Sequence, residues 1–212
     1  MIICYYTELN KLWSDHEFEA KLQQLPEQLI KETLRKKHRR DQQLSVAGKL
    51  LLQELLKEYG LADKLTLDKL LYNIYHRPYF VAEFDFNIAH AGNIAICCGT
   101  TDGKAGIDIE QINQINTDDY NDYFTLNEWE YINSDADRLG KFYYYWTRKE
   151  AALKAIGTGF HTALNTIDVS GESLMYHNVT YHFQTHDVDS HYKCHIATTT
   201  MHLNMEISKI TI

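Results

Sequence analysis

The chain has 212 residues, 44% hydrophobic and 24% charged, with a formal net charge of −8. That length holds one large domain or two of roughly 100 residues, with a sizeable core. The balance excludes a disordered chain, no apolar run approaches the roughly 18 residues of a membrane span, and the acidic charge argues against a general nucleic-acid binder. Cys4, Cys97, Cys98 and Cys194 show no CxxC spacing and read as small core residues of a reduced, cytoplasmic protein.

In chain order, MIICYYTELN opens with an apolar run that no basic residue precedes, which predicts a strand over residues 2–6 and not a signal peptide. From Pro26 to Tyr59 the pattern is helical. Within it, LSVAGKLLLQELLKEYG is strongly amphipathic, and Gly60 stands as a C-terminal stop. KETLRKKHRR (residues 31–40) is a basic cluster in an acidic protein, and composition alone makes it a solvated helix face. LLYNIYHRPYFVAEFDFNIAH mixes aromatic and β-branched residues around a His-Arg-Pro turn, so it predicts β structure and loops. FNIAHAGNIAICCGT predicts a β-hairpin turning near Gly92–Asn93, and GKAGIDIEQI a further strand. Residues 117–133 predict a polar loop and then a helix. An aromatic helix over 142–156 follows, ended by the Gly157-x-Gly159 turn. The remainder alternates like an antiparallel set of strands. Two prolines and ten glycines leave no linker. The layout predicts an α+β protein of two similar-sized halves, 1–104 and 105–212, packed directly together.

Three segments carry chemistry. In a strand over GIDIE, Asp108 and Glu110 share one face and Ile107 and Ile109 the other. Two such carboxylates suit Mg²⁺, which takes one or two protein carboxylates and completes its shell with water and phosphate. Taken alone, a half-buried strand with its polar face in water explains the pattern better. In the helix, Trp146, Glu150 and Lys154 fall four apart on one face. On so aromatic a helix that charged row points to a polar cleft; the plainer explanation is an exposed Glu→Lys pair. FNIAHAG places His90 at a strand end beside small residues that let a bulky or anionic group approach. Arg77, in HRPYF, adds a planar phosphate-type donor. In the C-terminal half, His186, His191, Cys194 and His195 have the side chains of a zinc site, but scattered surface histidines account for them better.

GIDIE, followed about forty residues later by WTRKEAALKAIGTG, resembles the two-part motif of the 4′-phosphopantetheinyl transferases, in the longer, surfactin-synthetase type with two pseudo-repeated halves. The fixed positions of that motif are met by Gly106, Asp108, Glu110, Trp146, Lys149, Glu150, Lys154, Gly157 and Gly159. FNIAHAG is similar to the family's F-N-[IL]-S-H-S-G, with Ala89 and Ala91 where the family has serines, and His76 stands where a glycine is usual. The resemblance implies transfer of the 4′-phosphopantetheine arm of coenzyme A to a serine of an apo acyl or peptidyl carrier protein. It implies Asp108, Glu110 and Glu150 around Mg²⁺ or Mn²⁺, with Asp108, Glu150 and Lys154 catalytic. Glu150 would accept the serine proton, directly or through a metal-bound water, and Lys154 would neutralise phosphate charge. It assigns His90, Arg77 and Lys154 to coenzyme A phosphates, with Lys149 either helping there or serving a surface or structural role, and Lys31 and Ser45 to the adenosine 3′-phosphate, with Arg35, Lys36 or Arg39 as substitutes. Trp146 would place the helix against the sheet, and a monomer is implied. The carrier would dock on residues 112–129, with Tyr120, Tyr123 and Phe124 as contacts, and the basic cluster would serve as a handle for an acidic carrier. A Mg²⁺-dependent phosphohydrolase and a non-catalytic coenzyme A- or carrier-binding module are the rival functions.

Overall fold

The computed structural model describes residues 1–201 and 204–212 and begins, as the apolar opening predicts, with strand β1 (Ile2–Glu8). Helix α1 (Asp15–Leu22) goes beyond the predicted elements. Ser14 and Glu17 close a reciprocal capping box in front of it, and Phe18 and Leu22, four apart, are buried. The helical stretch predicted from Pro26 to Tyr59 is two helices, α2 (Glu27–Leu34) and α3 (Arg39–Glu58). The break falls where Arg35, Lys36, Lys37, Arg39 and Arg40 would repel one another along a continuous helix.

A small hairpin, β2 (Leu71–Tyr72) and β3 (Pro78–Tyr79), leads to β4 (Asp85–Ala91), β5 (Ile94–Thr100) and β6 (Ala105–Gln111). A 3-10 turn (Thr117–Tyr123), α4 (Leu126–Ser134) and α5 (Arg138–Ile156) follow. The chain then forms β7 (Ser173–Tyr176), β8 (Val179–His186), β9 (Tyr192–Thr198) and β10 (Met205–Lys209). Among the described residues no helix is long and apolar enough to cross a membrane.

The first sheet has the order β10-β1-β5-β4 and the second β6-β9-β8-β7. β4 and β5 form the predicted hairpin, with Gly92 at φ 56° in its turn. β10 departs from the antiparallel expectation: it returns to the first sheet and runs parallel to β1, covering an edge that β5 leaves free. The layers are helix, sheet, sheet, helix. α3 covers the outer face of the first sheet with Leu51, Leu55 and Phe86 in that core. Ile96 and Cys98 meet Ile107, Ile109 and Ile196 between the sheets, and α5 covers the outer face of the second. All four cysteines are buried free thiols.

The two sheets abut along β4 and β6 without strand pairing. Ala105 N–H donates to Asp85 Oδ2 at 2.9 Å, and Ile107 N–H to Asn87 Oδ1 at 3.1 Å. Side chains of β4 thus satisfy the edge that β6 would otherwise leave unpaired. Because Asp85 lies level with Ala105 and Asn87 with Ile107, His90 falls near the Glu110 end of β6.

Candidate active site

The site forms where α5 lies on β6. A Cβ at Gly106 would meet Ala151 O at 2.2 Å and Ala155 N at 2.3 Å, so helix and strand touch backbone to backbone there. Two residues on, Asp108 faces α5 while Ile107 and Ile109 enter the core between the sheets. Lys154 Nζ donates to Asp108 Oδ1 at 2.6 Å and to Ile107 O at 3.1 Å. Glu150 lies one helical turn before Lys154, and Trp146 one turn before that.

The electrostatics describe a buried site with too little positive charge. Burial raises the Asp108 pKa, although Lys154 opposes it. Burial, then the charge of Asp108, pushes both Glu110 and Glu150 up to about 7; Lys154 and, at Glu110, the Trp146 indole N–H pull the other way. Burial disfavours the charge on Lys154, but Asp108, then Glu150 and Glu110, outweigh it and raise its pKa. Asp108 Oδ2 and Glu150 Oε1 are buried without any hydrogen-bond partner. As placed, no three His, Cys, Asp or Glu side chains among the described residues converge enough to hold a metal ion, and Lys154 occupies the contact to Asp108. The donor set itself, three hard carboxylates with two free oxygens, fits a divalent cation of the Mg²⁺ kind.

Of the residues assigned to coenzyme A, His90 joins this region. Burial lowers its pKa, with the charges of Lys36 and Lys154 adding to the effect, although solvent still reaches the ring. Lys49, a residue the sequence does not single out, also acts on His90. Burial brings its own pKa down to about 8, and its Nζ donates to Ser45 Oγ at 2.8 Å. Ser45 is therefore committed to a neighbouring ammonium inside the protein. Lys31 sits in a solvent-facing pair with Glu27 at 2.5 Å.

Two assignments are corrected. Lys149 is wholly buried: its Nζ pairs with Glu128 at 2.7 Å and donates to Leu164 O and Ile167 O, leaving it no path to a phosphate. Glu128 in turn accepts from Thr125 N–H and Val169 N–H. Arg77 spends its guanidinium on a bidentate pair with Asp85 at 2.9 and 2.7 Å, and on Lys154 O and Ala105 O. It clamps the end of α5 at the Asp85 end of β4, five residues and so roughly 16 Å along the strand from His90. Trp146 is half-buried, with Glu110 on one side and Tyr120 and Tyr123 on the other. In the C-terminal half, Cys194 and His195 point to opposite faces of β9. His195 lies across from Asp108, with Nδ1 2.7 Å from Thr147 Oγ1.

Residues 104–203 match the model of the 4′-phosphopantetheinyl transferase superfamily. The chain is 29% identical over 130 residues to a 4′-phosphopantetheinyl transferase of Aneurinibacillus migulanus, covering 60% of this chain and 54% of that one. It is 30% identical over 169 residues to a phosphopantetheinyl transferase of Thraustochytrium, covering 69% and 58%. To an L-aminoadipate-semialdehyde dehydrogenase-phosphopantetheinyl transferase of Xenopus laevis it is 29% identical over 150 residues, covering 61% and 48%. The match thus spans about half the length of these relatives. The matched stretch takes in both GIDIE and the carboxylate-bearing face of α5, the two segments in which the chain is similar to the 4′-phosphopantetheinyl transferase superfamily.

Proposed function

We propose that the chain transfers the 4′-phosphopantetheine arm of coenzyme A to a serine of an apo acyl or peptidyl carrier protein, releasing adenosine 3′,5′-bisphosphate. The observation that carries this reading is the buried trio Asp108, Glu110 and Glu150 beside Lys154, with two carboxylate oxygens unpartnered. Those three side chains would hold Mg²⁺, or Mn²⁺ in its place, and the bound ion supplies Lewis-acid polarisation of the pyrophosphate. The serine Oγ forms a bond to the phosphorus that bears pantetheine. The bond from that phosphorus to the bridging oxygen breaks, and its electron pair leaves with adenosine 3′,5′-bisphosphate.

Glu150, directly or through a metal-bound water, takes the serine proton. Lys154 stays charged among three carboxylates and neutralises the charge that grows on the phosphate oxygens. His90, Lys36 and Lys49 receive the anionic end of coenzyme A. Arg77 and Asn73, which donate to Lys154 O and Gly157 O, fix the end of α5 and so the reach of Lys154. The buried free thiols support a reducing compartment, and we place the reaction in the cytoplasm with the chain as a monomer.

Glu150→Gln tests the reading. It keeps size and hydrogen-bonding capacity but removes the base, so single-turnover transfer should fall by about 10²–10⁴-fold with coenzyme A still bound. Undiminished transfer would remove Glu150 from the chemistry. Release of free phosphopantetheine by the unaltered chain, with no holo carrier, would make it a hydrolase.

A further inference from the structure

Arg148 stands beside the carboxylate row of α5 in sequence but takes no part in it. Two positions before Glu150, it lies about 200° around the helix, on the side that meets β8. Arg148 is 5% exposed. Its guanidinium donates to Tyr144 Oη at 2.5 Å and to Gly171 O, both uncharged acceptors, and no carboxylate among the described residues forms an ion pair with it. A guanidinium carries five N–H donors; two are spent here, and Nε is buried without a hydrogen-bond partner. The rings of Phe183 and Tyr144 are centred 4.3 and 5.1 Å from its Cζ, which offsets part of the cost of burying the charge. Lys141 reaches the same Tyr144 ring at 5.6 Å, but it is paired with Asp135 at 3.1 Å. The charge on Arg148 is answered by no such group. It acts instead on His195, where it adds to burial in lowering the pKa. A buried cation in this setting favours an anion beside it.

There is room for one. A hollow of about 320 Å³ is lined by Tyr144, Arg148, Glu172, Phe183, Gln184 and Thr185. Tyr144 Oη accepts from Arg148, so its own proton remains to be donated. Gln184 is half-buried and Thr185 exposed, and both add polar side chains to the lining. Two walls, Tyr144 and Phe183, are aromatic. A charged residue set among apolar walls is the usual make-up of a small-molecule site. Glu172, the acidic residue of the lining, is exposed. Its charge opposes an anion, with the weakness of a solvated group.

We propose that this hollow binds a small organic anion, a carboxylate or phosphate monoester with an apolar body, whose charged end is held by the Arg148 guanidinium and the Tyr144 hydroxyl. The aromatic walls take the body, and the planar fork of an arginine suits either charged end. Glu172 limits the affinity. This site lies on the reverse of α5 from Asp108, Glu110 and Glu150, and it stands whether or not the chain is a transferase.

Calorimetric titration of the full chain with benzoate, phenyl phosphate and inorganic phosphate, at constant ionic strength and without coenzyme A, tests the proposal. The titrations are repeated with Arg148→Met, Tyr144→Phe and Glu172→Gln. The unaltered chain should bind benzoate and phenyl phosphate, and inorganic phosphate more weakly because it lacks a body for the aromatic walls. Arg148→Met should weaken both organic anions by about tenfold or more, and Tyr144→Phe by about threefold to tenfold. Glu172→Gln should tighten them by about threefold. Where Arg148→Met fails to fold, Tyr144→Phe decides, since it keeps the ring and removes only the hydroxyl. No binding by the unaltered chain would overturn the proposal. So would affinities that the Arg148 and Tyr144 variants leave unchanged, which would place the anion elsewhere, or weaker binding by Glu172→Gln.

Discussion

Asp108 and Lys154 neutralise each other at 2.6 Å in a pocket that holds two further carboxylates, so neither can be removed without exposing the other's charge. Lys154→Ala should lower transfer by about 10²–10³-fold, since it removes the cation that meets developing phosphate charge. The same substitution leaves three acidic groups with no ammonium among them, which should lower the melting temperature of the metal-free protein. Mg²⁺ should then raise the melting temperature of the variant by more than it raises that of the unaltered chain, because the ion replaces a missing charge. Thermal melts of both proteins over a Mg²⁺ series measure this. An equal rise in the two proteins would mean that the ion does not sit beside Asp108.

Helix α5 works on two faces. Trp146, Glu150 and Lys154 form the row that meets β6, whereas Lys149, one residue from Glu150, turns inward to Glu128 and ties α5 to α4 and to the 164–169 segment. A buried ion pair that loses one partner leaves a charge in a dry interior. Lys149→Met should therefore cost about 3–5 kcal/mol of stability, with coenzyme A affinity of the folded protein unchanged. Denaturant unfolding and calorimetric titration separate the two; intact stability with weakened binding would return Lys149 to the phosphates. The motif row was readable in the sequence because helical spacing and strand alternation assign Glu150, Lys154, Asp108 and Glu110 to faces without tertiary knowledge. Spacing leaves Lys149 between a phosphate and a structural role because it cannot say which face of an aromatic helix is buried, and Glu128 lies 21 residues away with only its capping box to mark it. Lys49 escaped notice within an amphipathic run that explains itself as core packing. The break between α2 and α3 depends on repulsion among side chains whose positions only the fold sets.

At the scale of the molecule, α+β character follows from alternating and 3.6-residue periods. The parallel return of β10 to β1 does not, because strand order is a long-range choice. Stability of the assembled layers should depend on pH through His195, which is fully buried beneath α5 and whose pKa burial brings from 6.5 down to about 3. Between those values the unfolded chain holds a proton there that the folded chain does not, so stability falls as pH drops through that window. Each unit of depression stands for about 1.4 kcal/mol. His195→Gln should flatten the fall between pH 6.5 and 4, read as denaturation midpoint against pH; an unchanged slope would place the acid sensitivity in other groups. The central claim concerns the assembled site, and intact-protein mass spectrometry of apo carrier proteins with the chain, coenzyme A and Mg²⁺ tests it most directly. The account predicts that a carrier gains the mass of one phosphopantetheine arm and that EDTA abolishes the gain. A panel of carriers left unmodified while coenzyme A binds, or a gain that survives EDTA, would contradict it.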